Sequence, residues 1–312
     1  MSLLPFDIPP GLTRNASIGP TWAHWLDRLP RLVRDVAEEW SLRFDGEPMH
    51  GFGSVVVPVR EESGRASVLK VSYDGDEEGI HEALGLQHWN GAGVVLMYRA
   101  DPRRRALLLE RLDSGHDLDD LPVLDACEVV AQMYPRLHRP ALPQLQRLSA
   151  YISRWTDDLA RLPVDAPVPR RLVEQAVSLG RSFVDDPATD AVLMHGDLHY
   201  QNVLAAEREP WLVIDPKPMA GDAHYEVAPM LWNRWDEAVA TGDVRREVRR
   251  RFHTIVDGAG LDEDRARDWV VVRELHNVLW NLQDADAMSR PLTASDQADL
   301  TTAVTIAKAV QD

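Results

Sequence analysis

The sequence predicts an α+β protein of two lobes: a smaller N-terminal lobe built on an antiparallel β-sheet with a helix, and a larger, mostly α-helical C-terminal lobe. Three observations predict it. Short β-branched runs are concentrated before Leu112. Beyond that point apolar residues recur at helical spacing, with one small hairpin near the middle. The length of 312 residues exceeds the usual size of one domain. The expected division is 1–112 and 113–312.

The elements follow in order. Pro5, Pro9, Pro10 and Gly11 break up the start, which reads as an extended or loosely packed arm. Over 21–40 the apolar residues Trp22, Trp25, Leu26, Leu29, Leu32, Val33, Val36 and Trp40 have the spacing of an amphipathic helix. The runs 55–59 and 66–72 flank a turn at 62–64 and read as an antiparallel hairpin. The stretch 77–89 is helix-like, with Ile80, Leu84 and His88 on its apolar face. Two further strands, 94–100 and 106–112, close the first block. After it, helices are expected over 124–137, 148–162, 168–183, 225–239, 244–257, 263–286 and 295–311.

Composition narrows the function classes. The chain carries 34 basic and 50 acidic residues, a net charge of −16. Nucleic acid is therefore not an expected partner, because phosphate contacts need clustered Lys and Arg. The short runs 103–105 and 249–251 read as solvated surface. An acidic surface suits a cationic small molecule. No window approaches the roughly 18 unbroken apolar residues of a membrane span, and the first residues lack the pattern of a secretory signal. Cys127 is the only cysteine, so no internal disulfide forms. A cytoplasmic monomer is the expectation.

The richest stretch is 193–216, LMHGDLHYQNVLAAEREPWLVIDP. An apolar pair runs into His195, Gly196 and Asp197; Asn202 follows five residues later, and Asp215 ends a second apolar strand. Phosphoryl transfer needs these parts in this order. One carboxylate orients or deprotonates an attacking hydroxyl, while an amide oxygen and a second carboxylate hold Mg²⁺ on the phosphates. Asp197 is thus the candidate catalytic residue, and Asn202 and Asp215 the candidate metal ligands. His195 reads as a structural support of the loop. His199 reads as loop packing, since an oxygen-ligated Mg²⁺ site needs no histidine.

The N-terminal block supplies candidates for ATP. Gly51, Gly53 and Ser54 lie just before a strand, where a glycine-rich cover over phosphates would sit. The same pattern also suits an ordinary strand entry. Lys70 is a lysine inside an apolar strand and needs a partner. Glu82 on the following helix is the first choice, with Glu77 and Glu78 as alternatives. The strand 107–112 leads out of the block. Glu110, Arg111 and Leu112 are the positions whose main chain could meet an adenine edge.

Carboxylates and tryptophans mark the substrate. Of the ten tryptophans, Trp22, Trp25, Trp40, Trp211 and Trp269 have core spacing. Trp232 and Trp235 follow the acidic stretch 222–226 with Asp222 and Glu226 and are flanked by Asp236 and Glu237, and Trp280 lies on a late helix with Glu274 and His276 nearby. Aromatic faces beside carboxylates suit guanidinium or ammonium groups. The same residues also fit packed helices with a solvated acidic face.

The segments HGDLHYQNVL (195–204), VIDPKP (213–218) and Gly221-Asp222 resemble the aminoglycoside phosphotransferases. Together with LLLERLDSG (107–115) and EAVATGDVRREVRRRF (237–252), they are similar to the branch of streptomycin 6-phosphotransferases and hydroxyurea phosphotransferases. The resemblance runs from about Trp40 to the end. It implies a bilobal protein-kinase-like fold using ATP and Mg²⁺. Asp197 would act on the acceptor hydroxyl, Asn202 and Asp215 on the metal, and Lys70 with Glu82 on the phosphates. Two departures stand out. Asp215-Pro216-Lys217 replaces the DFG of protein kinases, and Tyr225-Glu226 stands where the family would have Tyr-Asp. The expected reaction is phosphorylation of a hydroxyl on a cationic aminoglycoside such as streptomycin. The alternatives are another small hydroxyl compound, hydroxyurea or an amino sugar among them, and a nucleotide-binding protein without chemistry.

Overall fold

The computed structural model describes residues 4–311. The chain divides into two compact units: residues up to Gly115 together with Ala205–Lys217, and His116–Leu204 with Pro218 to the end. The first unit therefore reclaims a segment that lies far along the chain, where a simple cut near residue 112 leaves it with the second.

In the first unit, five strands run in the spatial order Arg43–Phe44, Ser54–Arg60, Ala66–Ser72, Ala106–Glu110, Met97–Asp101, with Met49–His50 also paired to Ser54–Arg60. All of these pairs are antiparallel. The expected hairpin is present, and its turn places Gly64 at φ +85°, where glycine avoids the steric penalty of a side chain. The helix Pro20–Glu39 buries Trp22, Trp25, Leu29, Val33 and Val36. This row packs with Val55, Val57, Leu69, Val71 and Leu108 of the sheet into one core. Each large side chain so buried contributes roughly 1.5–3 kcal/mol.

Two expectations for this unit need correction. The start is not simply extended: Pro10–Thr13 is α-helical and Arg14–Ile18 is a 3₁₀ turn. Residues 1–3 lie outside the described residues. The stretch 77–89 begins as a 3₁₀ turn, Glu78–His81, before the helix Glu82–Trp89. Its buried face is Glu82, Gly85, Leu86 and Trp89, whereas Ile80 is exposed. The face was misjudged because a glutamate belongs to it; burial of Glu82 is supported by an ion pair, not by apolar character.

In the second unit the helices Val123–Leu137, Leu148–Ala160, Arg170–Asp185, Val244–Ala259, Glu263–Ala287 and Ala294–Ala309 match the periodic runs. A sheet of four short strands, Arg139–Pro140, Val192–Met194, Met219–Gly221 and Gln146–Arg147, crosses the unit. Leu148, Ile152, Phe183, Met194, Tyr225 and Trp269 form a core around it, with Phe183 stacked on Trp269 at 3.9 Å. The single helix expected over 225–239 is broken into Ala223–Glu226, Pro229–Trp232 and Trp235–Ala240. Arg234 breaks it at φ +55°, and its guanidinium holds the carbonyls of Leu118 and Leu121 and the carboxylate of Glu237. No helix among the described residues is long and apolar enough to cross a membrane.

Candidate active site

The strand Ala66–Ser72 places Lys70 between Val56 and Leu107 of its neighbours, in an apolar setting where a lone ammonium is costly. The side chain is buried and doubly paired. Nζ donates to Glu82 Oε1 at 2.6 Å and to Asp215 Oδ1 at 2.5 Å. Burial opposes the charge of Lys70, but the two carboxylates outweigh it and raise its pKa. Burial pushes the Glu82 carboxyl up, and Lys70 opposes that rise. Glu77 and Glu78, the alternative partners, are exposed.

Asp215 reaches Lys70 because its segment is stitched into the first unit. The Val213 N–H donates to the Gly93 carbonyl at 3.0 Å, and the Val95 N–H donates to the Val213 carbonyl at 2.9 Å. Arg208 donates to the carbonyls of Gly91 and Val94 and to the carboxylate of Glu110. Asp215 itself adopts φ +55°, a left-handed conformation uncommon for a residue with a side chain. Gly51 lies close by: a Cβ there would come within 3.1 Å of Ser54 Oγ and 3.9 Å of Asp215 Oδ2. The loop is tied down by Asn15 Nδ2, which donates to the Phe52 carbonyl at 2.6 Å, and by the Tyr73 N–H, which donates to Gly53 O at 2.7 Å. The N–H of Glu110 already donates to Leu96 O at 2.8 Å within the sheet, so adenine cannot take it.

In the second unit, the strand Val192–Met194 delivers the loop His195-Gly196-Asp197. Gly196 has φ +84°, which a side chain would strain. Its N–H donates to Glu226 Oε1 at 2.8 Å, and His138 Nε2 donates to Glu226 Oε2 at 2.8 Å. Burial works against the Glu226 carboxylate. The His138 hydrogen bond, the charges of His138 and His195, and the Gly196 N–H outweigh it and lower its pKa. His195 is fully buried and accepts the Asp197 N–H on Nδ1 at 3.2 Å. Asn202 Nδ2 donates to the Asp197 carbonyl at 2.8 Å. The amide nitrogen thus braces the loop, and its oxygen is the atom left to act as a ligand.

The same unit holds a cavity of about 980 Å³. Its lining includes Trp232, Trp235, Asp236, Glu274, Trp280 and Asp299. Glu274 is 1 % exposed; Oε1 has no hydrogen-bond partner, and Oε2 receives only a long 3.4 Å contact from Asn277. Burial raises its pKa well above the glutamate range, opposed by Asn277 and Arg273. The Arg273 guanidinium lies over the rings of Tyr225 and Trp232, at 4.2 and 5.7 Å. Trp280 Nε1 and Asn281 Oδ1, also at the cavity, are buried without partners.

A family described as aminoglycoside/hydroxyurea antibiotic resistance kinase matches residues 39–285. The chain belongs to this family. It is 39 % identical over 271 residues to a streptomycin 6-kinase of Streptomyces glaucescens, covering 86 % of this chain and 87 % of that one. It is 36 % identical over 275 residues to a hydroxyurea phosphotransferase of Kitasatospora aureofaciens, covering 86 % and 77 %. Among solved structures it shares its fold with a choline kinase from Streptococcus pneumoniae: TM-score 0.56, 11 % identity, 90 % and 98 % covered. The protein is thus an α+β phosphotransferase of the kinase-like fold.

For this kinase, the residues singled out from sequence fall into three groups. Lys70, Glu82 and Asp215 meet in the first unit, with Gly51, Gly53 and Ser54 in the adjoining loop. Asp197 and Asn202 share one loop of the second unit. Of the candidate substrate residues, Trp232, Asp236, Glu274 and Trp280 line the cavity. Asp222 does not: Arg265, His224 and Trp269 occupy its oxygens. Glu226 holds the His195–Asp197 loop through the Gly196 N–H, and Glu237 pairs with Arg234. Trp235, weighed beside Trp232 in the sequence, also lines the cavity, whereas sequence reasoning did not single out Arg208, His138 or Asn15. Arg208 sits in the turn before the Trp211–Val213 strand; an arginine opening the strand that ends at a metal-ligand candidate was the available signal.

Proposed function

We propose that this kinase transfers the γ-phosphoryl group of ATP, with Mg²⁺, to a hydroxyl of a cationic aminoglycoside, streptomycin foremost. The observation that carries the reading is the buried Lys70 ammonium held between Glu82 and Asp215. A lysine fixed in this way positions α- and β-phosphates, and a glycine at position 51 lacks the side chain that would hinder a phosphate chain from nearing the backbone. A carboxylate at Asp215 and an amide oxygen at Asn202 are hard oxygen donors that suit Mg²⁺. The ion would neutralise charge on the phosphates.

Asp197 accepts the hydrogen bond of the acceptor hydroxyl and orients its oxygen. As the new O–P bond forms, the bond to the leaving ADP oxygen breaks and the hydroxyl proton passes to the Asp197 carboxylate. The transition state is loose, so orientation contributes more than basicity. Glu226 keeps Asp197 in place through Gly196. ATP supply places the work in the cytoplasm.

The streptomycin relative supports the acceptor, and so does the cavity: its size and its carboxylates match a large polycation with guanidinium groups. A second reading, transfer to hydroxyurea, rests on the Kitasatospora relative. An ADP-release assay with Mg²⁺-ATP separates them. Turnover with streptomycin at micromolar levels, and none with hydroxyurea, is expected. Turnover with hydroxyurea alone would reverse the assignment.

A further inference from the structure

The first unit holds a second lysine that the reaction above does not use. Lys217 follows Asp215 by two residues, across Pro216, whose ring locks its own backbone angle. Its Nζ stands 3.7 Å from Asp76 Oδ2, an ion pair too long for a hydrogen bond. Asp76 uses its other oxygen on the N–H groups of Glu78 and Gly79. The charge of Lys217 also acts on Glu82, the buried partner of Lys70. Lys217 therefore lies in the electrostatic field of the Lys70–Glu82–Asp215 cluster while keeping 24 % of its side chain exposed.

Composition sharpens the point. Only Lys70, Lys217 and Lys308 are lysines among the 34 basic residues. Arginine is the default cation of this chain and makes its ordinary ion pairs, such as Arg28–Asp74, Arg60–Asp45 and Arg111–Asp45. Two of the three lysines nevertheless fall within one cluster. Lysine differs from arginine in carrying a compact point charge with three rotatable donors on a flexible stem. That suits a phosphate oxygen, and a plain pairing with Asp76 would not require it.

We infer that Lys217 leaves Asp76 when ATP binds and donates hydrogen bonds to the γ-phosphoryl oxygens, compensating the charge that builds on them during transfer. The inference rests on the reading of the protein as an ATP-dependent phosphotransferase. Lys217 keeps its protons throughout. The bond from phosphorus to the ADP oxygen breaks as the bond to the acceptor oxygen forms, and the acceptor proton goes to Asp197.

Thermal-shift and equilibrium-binding measurements with MgCl₂ and either ADP or AMP-PNP test it on the full chain. Wild type should gain more from AMP-PNP than from ADP. Lys217→Met should keep the ADP shift and lose the extra increment, with kcat down by about 10²-fold, as when one oxyanion donor is removed. Lys217→Arg should restore the increment only in part. Asp76→Asn should keep the increment, because Asp76 only holds the lysine in the absence of nucleotide. The inference is overturned if Lys217→Met retains the increment and kcat within about threefold of wild type. It is also overturned if Asp76→Asn reproduces the loss, since pairing with Asp76 would then be the lysine's whole task. If wild type responds to neither nucleotide, the kinase reading itself fails and this inference goes with it.

Discussion

Glu274 is a buried carboxyl whose Oε1 has no hydrogen-bond partner among the described residues, and burial raises its pKa against the opposing pull of Asn277 and Arg273. The sign of its effect on stability follows. A protonated Glu274 favours the folded state below the ordinary glutamate pKa of ~4.3. That contribution is lost as pH rises through the higher folded-state value, and above the ordinary glutamate range folding carries the cost of either protonating the group or burying its charge. Glu274→Gln should therefore melt above wild type at pH 8, by about 2–4 °C for each kcal/mol relieved, and the gap should close toward pH 5. The same variant should raise KM for streptomycin at least tenfold and leave KM for ATP unchanged, because a cation bound at Oε1 would lose its carboxylate. Calorimetry and steady-state kinetics read the two halves. At Asp197, exchange for Asn should lower kcat by roughly 10²–10⁴-fold while the AMP-PNP thermal shift survives. A variant turning over near the wild-type rate would remove Asp197 from the chemistry.

Among the elements, the glycine loop depends for its order on a distant segment. Asn15, in the 3₁₀ turn before the first long helix, donates to the Phe52 carbonyl at the loop's tip. Trp22 of that helix stacks on Tyr73 at 4.0 Å, and Tyr73 in turn holds Gly53. Asn15→Asp keeps the shape and removes the donor. It should raise KM for ATP about three- to tenfold, the value of one hydrogen bond, and leave KM for streptomycin alone. This brace was not legible in the sequence, where the start reads as a broken arm, because a contact between Asn15 and Phe52 leaves no local pattern. The His195–Asp197, Asn202 and Asp215 series was legible because its spacing is local. Lys70 was legible because a lysine in an apolar strand is anomalous. Glu226 was misassigned to the substrate: its partner His138 lies 88 positions away, and nothing in its own segment marks it as a loop support. The helix break at Arg234 was equally hidden, since it depends on carbonyls of Leu118 and Leu121.

At the scale of the whole molecule, the net charge of −16 is the property that touches the substrate before any contact forms. A polycation is drawn toward such a surface, and salt screens the attraction beyond about 10 Å at 0.1 M. The kcat/KM for streptomycin should therefore fall several-fold between about 0.05 and 0.5 M salt, whereas a neutral acceptor such as hydroxyurea should show a flat profile. The candidate site residues are shared between the two units, because the first unit reclaims Ala205–Lys217 from the middle of the chain. One carries Lys70, Glu82 and Asp215, and the other carries Asp197, Asn202 and the acidic cavity. The most direct test of the whole account is the mass of streptomycin after incubation with the purified protein and Mg²⁺-ATP, with fragmentation to locate the change. A gain of one phosphoryl group on a single hydroxyl is predicted, absent with Asp197→Asn. Unmodified streptomycin beside a phosphorylated hydroxyurea, or a product that the Asp197 variant still makes, would contradict it.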